Sequence, residues 1–418
     1  MLVLKNLCKE YREDGTVNKA LQAVNIEFKD HEFVSVIGPS GSGKTTLLHI
    51  IGGMDVFSDG DMLINGKSVR GYSNADWNAY RNKSLGFVFQ DTNLIAGQTV
   101  LSNVELALTL SGTAKEKRRK RAVDALRQVG FEDTSMNKKP AQLSCGQRQL
   151  AAIARALVND PDILLADEPT SCLDAETGKR IMELFRELSE TKLVIAAGSN
   201  PDSFKGYAAR TVTLAGGIVA DDSNPFHIVV EKPAVHNNRR LKKGKKETIH
   251  ILSAFAAAGR TVASRKVNTV LHAFAGSVGI LGIAFTSGIL WRGKASKMPV
   301  PLIVFTLALS IVMAGIFTYV SVLKKRRYIS ILRGLGASGR DIFRIISAEA
   351  VIYGFASGMI GVAGIMILSA PLTGSVRLLT ASNTMWIILI SILINLLAGC
   401  IPSGIAAAKK PAAALDDG

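Results

Sequence analysis

Acidic side chains are scarce in the second part of this chain. Of its 418 residues, 223–418 carry 23 Lys or Arg but only 6 Asp or Glu, net +17. Residues 1–222 carry 27 basic and 28 acidic side chains, net −1. Cysteine is also sparse. Cys8, Cys145, Cys172 and Cys400 show no metal-ligand spacing, which excludes a secreted disulfide scaffold. Three of them lie in the first half, so a reducing cytosol is expected there. The N-terminal MLVLKNLCKEY lacks an apolar h-region, so no signal peptide is expected. With 48% hydrophobic residues the chain is not disordered. Its positive charge lies between long apolar runs, where a membrane uses it, which makes nucleic acid a poor partner.

What is present begins with a phosphate-binding pattern. EFVSVI (32–37) reads as a buried strand, LLHIIGGM (47–54) as a helix, and GPSGSGKTT lies between them. Gly38, Pro39, Ser40, Gly41, Ser42, Gly43, Lys44, Thr45 and Thr46 thus contain the whole G-x-x-x-x-G-K-[ST] loop in its strand–loop–helix context. Such a loop turns backbone N–H groups toward a polyphosphate, and the helix N-terminus adds partial positive charge. Lys44 is placed to reach the β- and γ-phosphates, and the Thr45 hydroxyl to ligate Mg²⁺. DILLAD (162–167) reads as a second buried strand, ending in Asp167 and followed by Glu168. The first carboxylate suits Mg²⁺; the second suits orienting or deprotonating an attacking water.

The segment LSCGQRQLAAIARAL (143–157) resembles the signature and following helix of ABC transporters. That resemblance covers essentially all of residues 1–222 and is closest to macrolide exporters, lipoprotein-releasing ATPases and antimicrobial-peptide transporters. It implies an aromatic platform for adenine at Tyr11, a Q-loop at Gln90 touching Mg²⁺ and the membrane domain, and a D-loop acid at Asp174. It also implies that Ser144, Cys145, Gly146 and Gln147 contact ATP held by a second subunit. ATP and Mg²⁺ are therefore the expected ligands. The partner is a second copy of the chain or a paralogue.

Departures from the family pattern fall at chemical positions. Cys145 replaces a signature glycine, Leu150 an arginine and Ser171 a D-loop glycine. The switch histidine is Ser199, whose hydroxyl is shorter and cannot bring positive charge to a γ-phosphate. Weakened hydrolysis is the expectation.

Residues 223–247 hold a basic cluster, Arg239, Arg240, Lys242, Lys243, Lys245 and Lys246, suited to anionic lipid at about 1 kcal/mol per basic residue. Residues 249–264 read as an interfacial helix. Four stretches then lack any charge: Val267–Trp291, Met298–Leu323, Ala350–Val376 and Leu378–Ala408. Each exceeds the roughly 20 residues that cross a bilayer. Pro371 and Pro402 are expected to interrupt the last two, giving spans near 350–370 and 384–404. Basic residues 324–327, 333, 340 and 344 and Lys409–Lys410 put both flanking ends inside. Gly276, Gly279 and Gly282, and Gly354, Gly358 and Gly361, are spaced for close helix contact. The pattern resembles the FtsX-like permease of the same transporters, but only RGKASKM separates the first two spans, where that family has a folded outer domain.

The expected architecture is an α/β P-loop NTPase domain of the ABC type (1–222), a basic linker with an interfacial helix (223–264), and an all-α transmembrane domain of four helices (265–418). The expected protein is a multi-pass half-transporter of the plasma membrane with its ATPase in the cytoplasm, moving an amphipathic substrate such as an antimicrobial peptide, a drug or a lipid-linked molecule. The alternative is a degenerate, weakly hydrolytic regulatory or partner subunit.

Overall fold

Alternating and continuous apolar runs sort the first part of the chain into two sheets. A computed structural model describes residues 1–13, 16–225, 251–264, 269–270, 273–274, 277, 281, 300–373 and 381–408. Strands β1 (Leu2–Glu13), β2 (Thr16–Phe28), β4 (Asp59–Ile64) and β5 (Lys67–Ser68) form an antiparallel sheet of order β2-β1-β4-β5. Strands β3 (Glu32–Ile37), β6 (Leu85–Val88), β7 (Ile163–Asp167), β8 (Leu193–Gly198), β9 (Arg210–Ala215) and β10 (Ile218–Asp222) form a sheet of order β10-β9-β3-β8-β7-β6. All its pairings except β9–β10 are parallel. Parallel strands are covered on both faces, hence unbroken runs such as ILLAD and LVIAAG, whose residues are all buried. The expected strands at 32–37 and 162–167 are present, the second starting at Ile163.

Helices α1 (Lys44–Ile51), α2 (Asn74–Lys83), α3 (Val100–Leu110), α4 (Lys115–Gln128), α5 (Cys145–Leu157) and α6 (Ala175–Ser189) complete this unit. The Ser144 side chain caps α5 in a reciprocal box with Gln147, both bonds at 3.2 Å. Asp174 caps α6, its Oδ1 accepting from Thr177 N at 2.9 Å.

The second unit is helical in its described residues. It contains α7 (Ile251–Ser264), α8 (Val300–Leu323), α10 (Gly339–Thr373) and α11 (Ala381–Ala408), while α9 (Arg326–Gly334) is divided between the units at Ser330. Helix α7 matches the expected segment at 249–264. Gly354 and Gly358 of α10 let α11 approach: an added Cβ would lie 2.6 Å from Ile392 Cα and 3.0 Å from Ile388 Cα. Gly276, Gly279 and Gly282, and most of the expected first span, lie outside the described residues. The bounds of two helices differ from expectation. Helix α10 begins eleven residues before 350, because Asp341, Arg344 and Glu349 continue its first turns. Neither expected interruption occurs: α10 runs through Pro371 to Thr373 and α11 through Pro402 to Ala408, since a proline removes one backbone bond and adds one clash, which a helix can tolerate. Among the described residues, Gly339–Ile367 is long and apolar enough to cross a membrane; Ile311–Leu323 and Thr384–Cys400 are shorter apolar helices.

Candidate nucleotide site

The parallel sheet delivers the chemical residues to one edge. Ile37 pairs with Gly198, Ala197 with Asp167, and Ala166 with Val88. The residues just beyond these positions therefore line up across β3, β8, β7 and β6: the loop from Gly38, then Ser199, then Glu168, then Gln90. Carboxyl ends of parallel strands are where α/β folds place ligand sites.

The loop before α1 needs glycine. Gly43 has φ +99°, and a Cβ there would lie 2.4 Å from the Ala20 carbonyl oxygen. Lys44, buried, folds back and donates to the carbonyls of Gly38 at 2.9 Å and Pro39 at 2.8 Å. Its ammonium thus sits under the loop with no carboxylate bonded to it. The buried Ser42 hydroxyl has no hydrogen-bond partner, an orphan that a phosphate oxygen would satisfy.

Across from the loop, Thr45 donates to Asp167 Oδ2 at 2.7 Å. Burial pushes the Asp167 carboxyl above the ordinary carboxylate range; the Thr45 bond and Lys44 pull it back and Glu168 adds to the rise. A hydroxyl and a buried carboxylate in contact are a hard-oxygen donor set fit for Mg²⁺. Glu168 has φ +46°, sparsely populated for a non-glycine residue, held by its N–H donating to Ala197 O at 2.9 Å. Its carboxylate accepts from Ser199 Oγ at 3.0 Å and from Gln90 Nε2 at 3.4 Å. Ser199 thus stands beside Glu168 at the end of β8.

The remaining expected residues lie elsewhere. Tyr11 donates to Asp55 Oδ2 at 3.0 Å, and Lys9 lies over its ring at 4.6 Å while bridging to Asp55 at 2.7 Å. Ser144–Gln147 and the turn between Glu168 and Asp174 form a second cluster. A Cβ on Gly146 would lie 3.4 Å from Cys172 O, and Cys145 is joined to Cys172 by a disulfide with a Cα separation of 5.5 Å. Cysteine spacing alone points to a reducing compartment and gives no hint of that bond.

Sequence reasoning also missed Arg155. It is fully enclosed and donates to Asn93 O at 2.6 Å and Thr92 O at 3.0 Å, fixing the segment after Gln90. Burial lowers its pKa to about 10. The available signal was one charge within the apolar run LAAIARAL. Ser330–Ser338 cluster with the first unit. Asn82 Nδ2 donates to Gly336 O at 2.9 Å, and a Cβ on Gly334 would lie 3.0 Å from Phe89 Cζ. Arg81, at the same place, has its pKa lowered to about 10 by burial first and by Arg333 second.

Comparison with known proteins agrees with this geometry. The family model for ABC transporters matches residues 21–171, and that for the FtsX-like permease C-terminal region matches 302–411. An uncharacterised ABC transporter ATP-binding protein of Methanocaldococcus jannaschii is 45% identical over 193 residues, 46% of this chain and 82% of that protein. The lipoprotein-releasing system ATP-binding protein LolD of Syntrophus aciditrophicus is 36% identical, over 52% of this chain and 97% of that one. The macrolide export ATP-binding/permease protein MacB of Chlorobaculum tepidum is 32% identical over 71% of this chain, which spans 45% of that protein. Among solved structures, a dimeric post-hydrolysis ATP-binding cassette bound to ADP and Pi superimposes with a TM-score of 0.52 at 39% identity, covering 55% of this chain and all of that one.

Proposed function

The chain belongs to the ABC transporter family, fusing an ATPase of that family to an FtsX-like permease region, and from that premise we propose that it is an ATP-driven half-transporter that exports or extracts an amphipathic substrate. The observation that carries the reading is the convergence of Lys44, the Thr45–Asp167 pair and Glu168 with Gln90 and Ser199 at one sheet edge. Lys44, Ser42 and the loop amides would hold the phosphates of ATP. Thr45 and Asp167 would hold Mg²⁺, which supplies charge neutralisation on the phosphates. Glu168 would orient the attacking water and accept its proton. Gln90 and Ser199 fix that carboxylate. Tyr11 would face the adenine.

A membrane setting is supported by the second unit's surface. Phe305, Leu309 and Ile316 of α8, Phe355 and Met359 of α10, and Trp386, Leu393 and Leu397 of α11 are all exposed, an apolar area that lipid covers and water does not favour. Four spans with both ends cytoplasmic follow from the basic residues after the second and fourth. The substrate class follows the names of the lipoprotein-releasing and macrolide-export relatives. The degenerate-subunit reading keeps specific support in Ser199 and in the bonded Cys145.

The test is Mg-ATP binding by the full chain in lipid nanodiscs. Lys44→Ala should reduce affinity by at least about a hundredfold, since it removes the ammonium under the loop and hydrogen bonds to charged groups carry about 1.5–3 kcal/mol each. Unchanged affinity in that variant would overturn the assignment.

A further inference from the structure

Two cysteines that lie 27 residues apart in sequence meet at the second cluster of the nucleotide machinery. Cys145 is the first residue of α5, directly after its cap Ser144. Cys172 lies in the turn between Glu168 and Asp174, where Ser171 N and Oγ both donate to Glu168 O, at 3.2 and 3.0 Å. Their Cα separation of 5.5 Å lies within the range a disulfide spans without backbone movement. The neighbouring backbone is already in contact, with Gly146 facing Cys172 O and Leu173 Cδ2. Cys172 is exposed and Cys145 half-buried, so small thiols and disulfides can reach the pair. Cys8 and Cys400 are thiols outside the disulfide.

We propose that Cys145 and Cys172 are a reversible oxidation site, a thiol–disulfide couple that slows ATP turnover when closed. The inference rests on the reading of residues 1–222 as a cytoplasmic ABC ATPase. Disulfides in a reducing compartment are, as a rule, transient and redox-sensing rather than structural. The oxidant is a small-molecule or protein disulfide. The Cys172 thiolate attacks one of its sulfurs, giving a mixed disulfide and releasing one thiol. The Cys145 thiolate then attacks the Cys172 sulfur and displaces the second thiol. Two protein thiols lose two electrons and two protons, and one disulfide becomes two thiols.

The consequence follows from what the bond joins. Helix α5 packs with α3 and α4 and on β6 of the parallel sheet, and Cys172 lies in the turn that follows β7. The bond therefore adds a covalent tie between the start of α5 and the turn beside Glu168. In the proposed dimer, the Ser144 end of α5 caps the partner's ATP and Asp174 lies across the same interface. A link between the two leaves Lys44, Thr45 and Asp167 untouched. It removes the independent adjustment that closing on ATP and reopening after hydrolysis require.

The experiment uses the full chain in nanodiscs, equilibrated with reduced or oxidised glutathione, with three readouts: peptide mass mapping, Mg-ATP affinity and steady-state ATPase. Oxidised protein should contain the 145–172 linked peptide, keep its ATP affinity, and turn over about tenfold or more slowly than reduced protein, a loss of kcat at constant binding. Reducing agent should restore the rate. Cys172→Ser should be insensitive to oxidised glutathione, and Cys8→Ser with Cys400→Ser should respond as the wild type does. Equal rates in both forms, or a response that survives Cys172→Ser, would overturn the proposal. Failure of the reduced protein to bind Mg-ATP would instead overturn the ATPase reading on which it rests.

Discussion

At the scale of single residues, the proposed site turns on two side chains. Ser199 Oγ reaches Glu168 at 3.0 Å but offers no cation toward a γ-phosphate. A missing contact of that kind costs roughly 3–4 kcal/mol of transition-state stabilisation, a hundredfold or more in rate. Under reducing conditions, where Cys145 is a thiol, Ser199→His with Cys145→Gly should therefore raise kcat well beyond either change alone in a homodimer, where both groups would face one phosphate. Steady-state ATPase of the four proteins at saturating Mg-ATP checks this; equal turnover in all four would show the departures harmless. Asp167 is the second. Its carboxyl is pushed up chiefly by burial, so ionising it costs folding free energy when no cation is bound. The proton is held more tightly folded than unfolded. The Asp167 contribution is thus best below the unfolded pKa and declines as pH rises through the folded one. Asp167→Asn should raise the melting temperature of the metal-free, nucleotide-free protein at neutral pH, with the gain fading toward acid. The same variant should lose Mg²⁺-dependent ATP binding. A gain that grows toward acid would reverse this account.

Among elements, legibility tracked how local the determinant was. The loop at 38–46 and the strand ending at Asp167 were readable because strand, glycine turn and helix follow one another within a few residues. The helix at 251–264 was readable from its apolar run. The boundaries of α10 and α11 were not, because charge and proline mark where a helix can end, while packing on its neighbours decides where it does. Arg155 and the contact of Asn82 with Gly336 were invisible for a different reason: each joins residues 62 or more positions apart. Arg155 carries a prediction. Arg155→Met fills a similar volume but removes the guanidinium donors to the carbonyls of Thr92 and Asn93. Two charge-assisted bonds suggest a loss on the order of 3 kcal/mol. Hydrogen exchange should quicken at residues 90–95 before it does at β7. Unchanged protection there would mean that α3 alone holds the segment, through Asn103, which accepts from Ile95 N at 2.7 Å.

For the whole molecule, the sequence motifs already imply an assembly, because signature and loop belong to different subunits in the reading proposed here. The chain places them in separate clusters, one at the carboxyl edge of the sheet and one at the capped starts of α5 and α6. A two-fold homodimer presents two equivalent composite sites. Lys44→Ala destroys the loop of a site and keeps the signature. Ser144→Arg does the reverse, putting bulk and charge where the cap of α5 should meet the partner's ATP. Each variant alone should be inactive. Mixed in equal amounts before reconstitution, half of the dimers pair one of each, and one of their two sites is whole. Activity should then recover to about a quarter of wild type if sites act independently under two-fold symmetry. Full silence of the mixture, with wild-type protein active in the same lipid, would show that the sites cannot fire singly. Silence of the wild type alone, relieved by adding a paralogous chain with an intact switch histidine, would make the functional unit a heterodimer. In that unit Ser199 weakens one site and Cys145 the other.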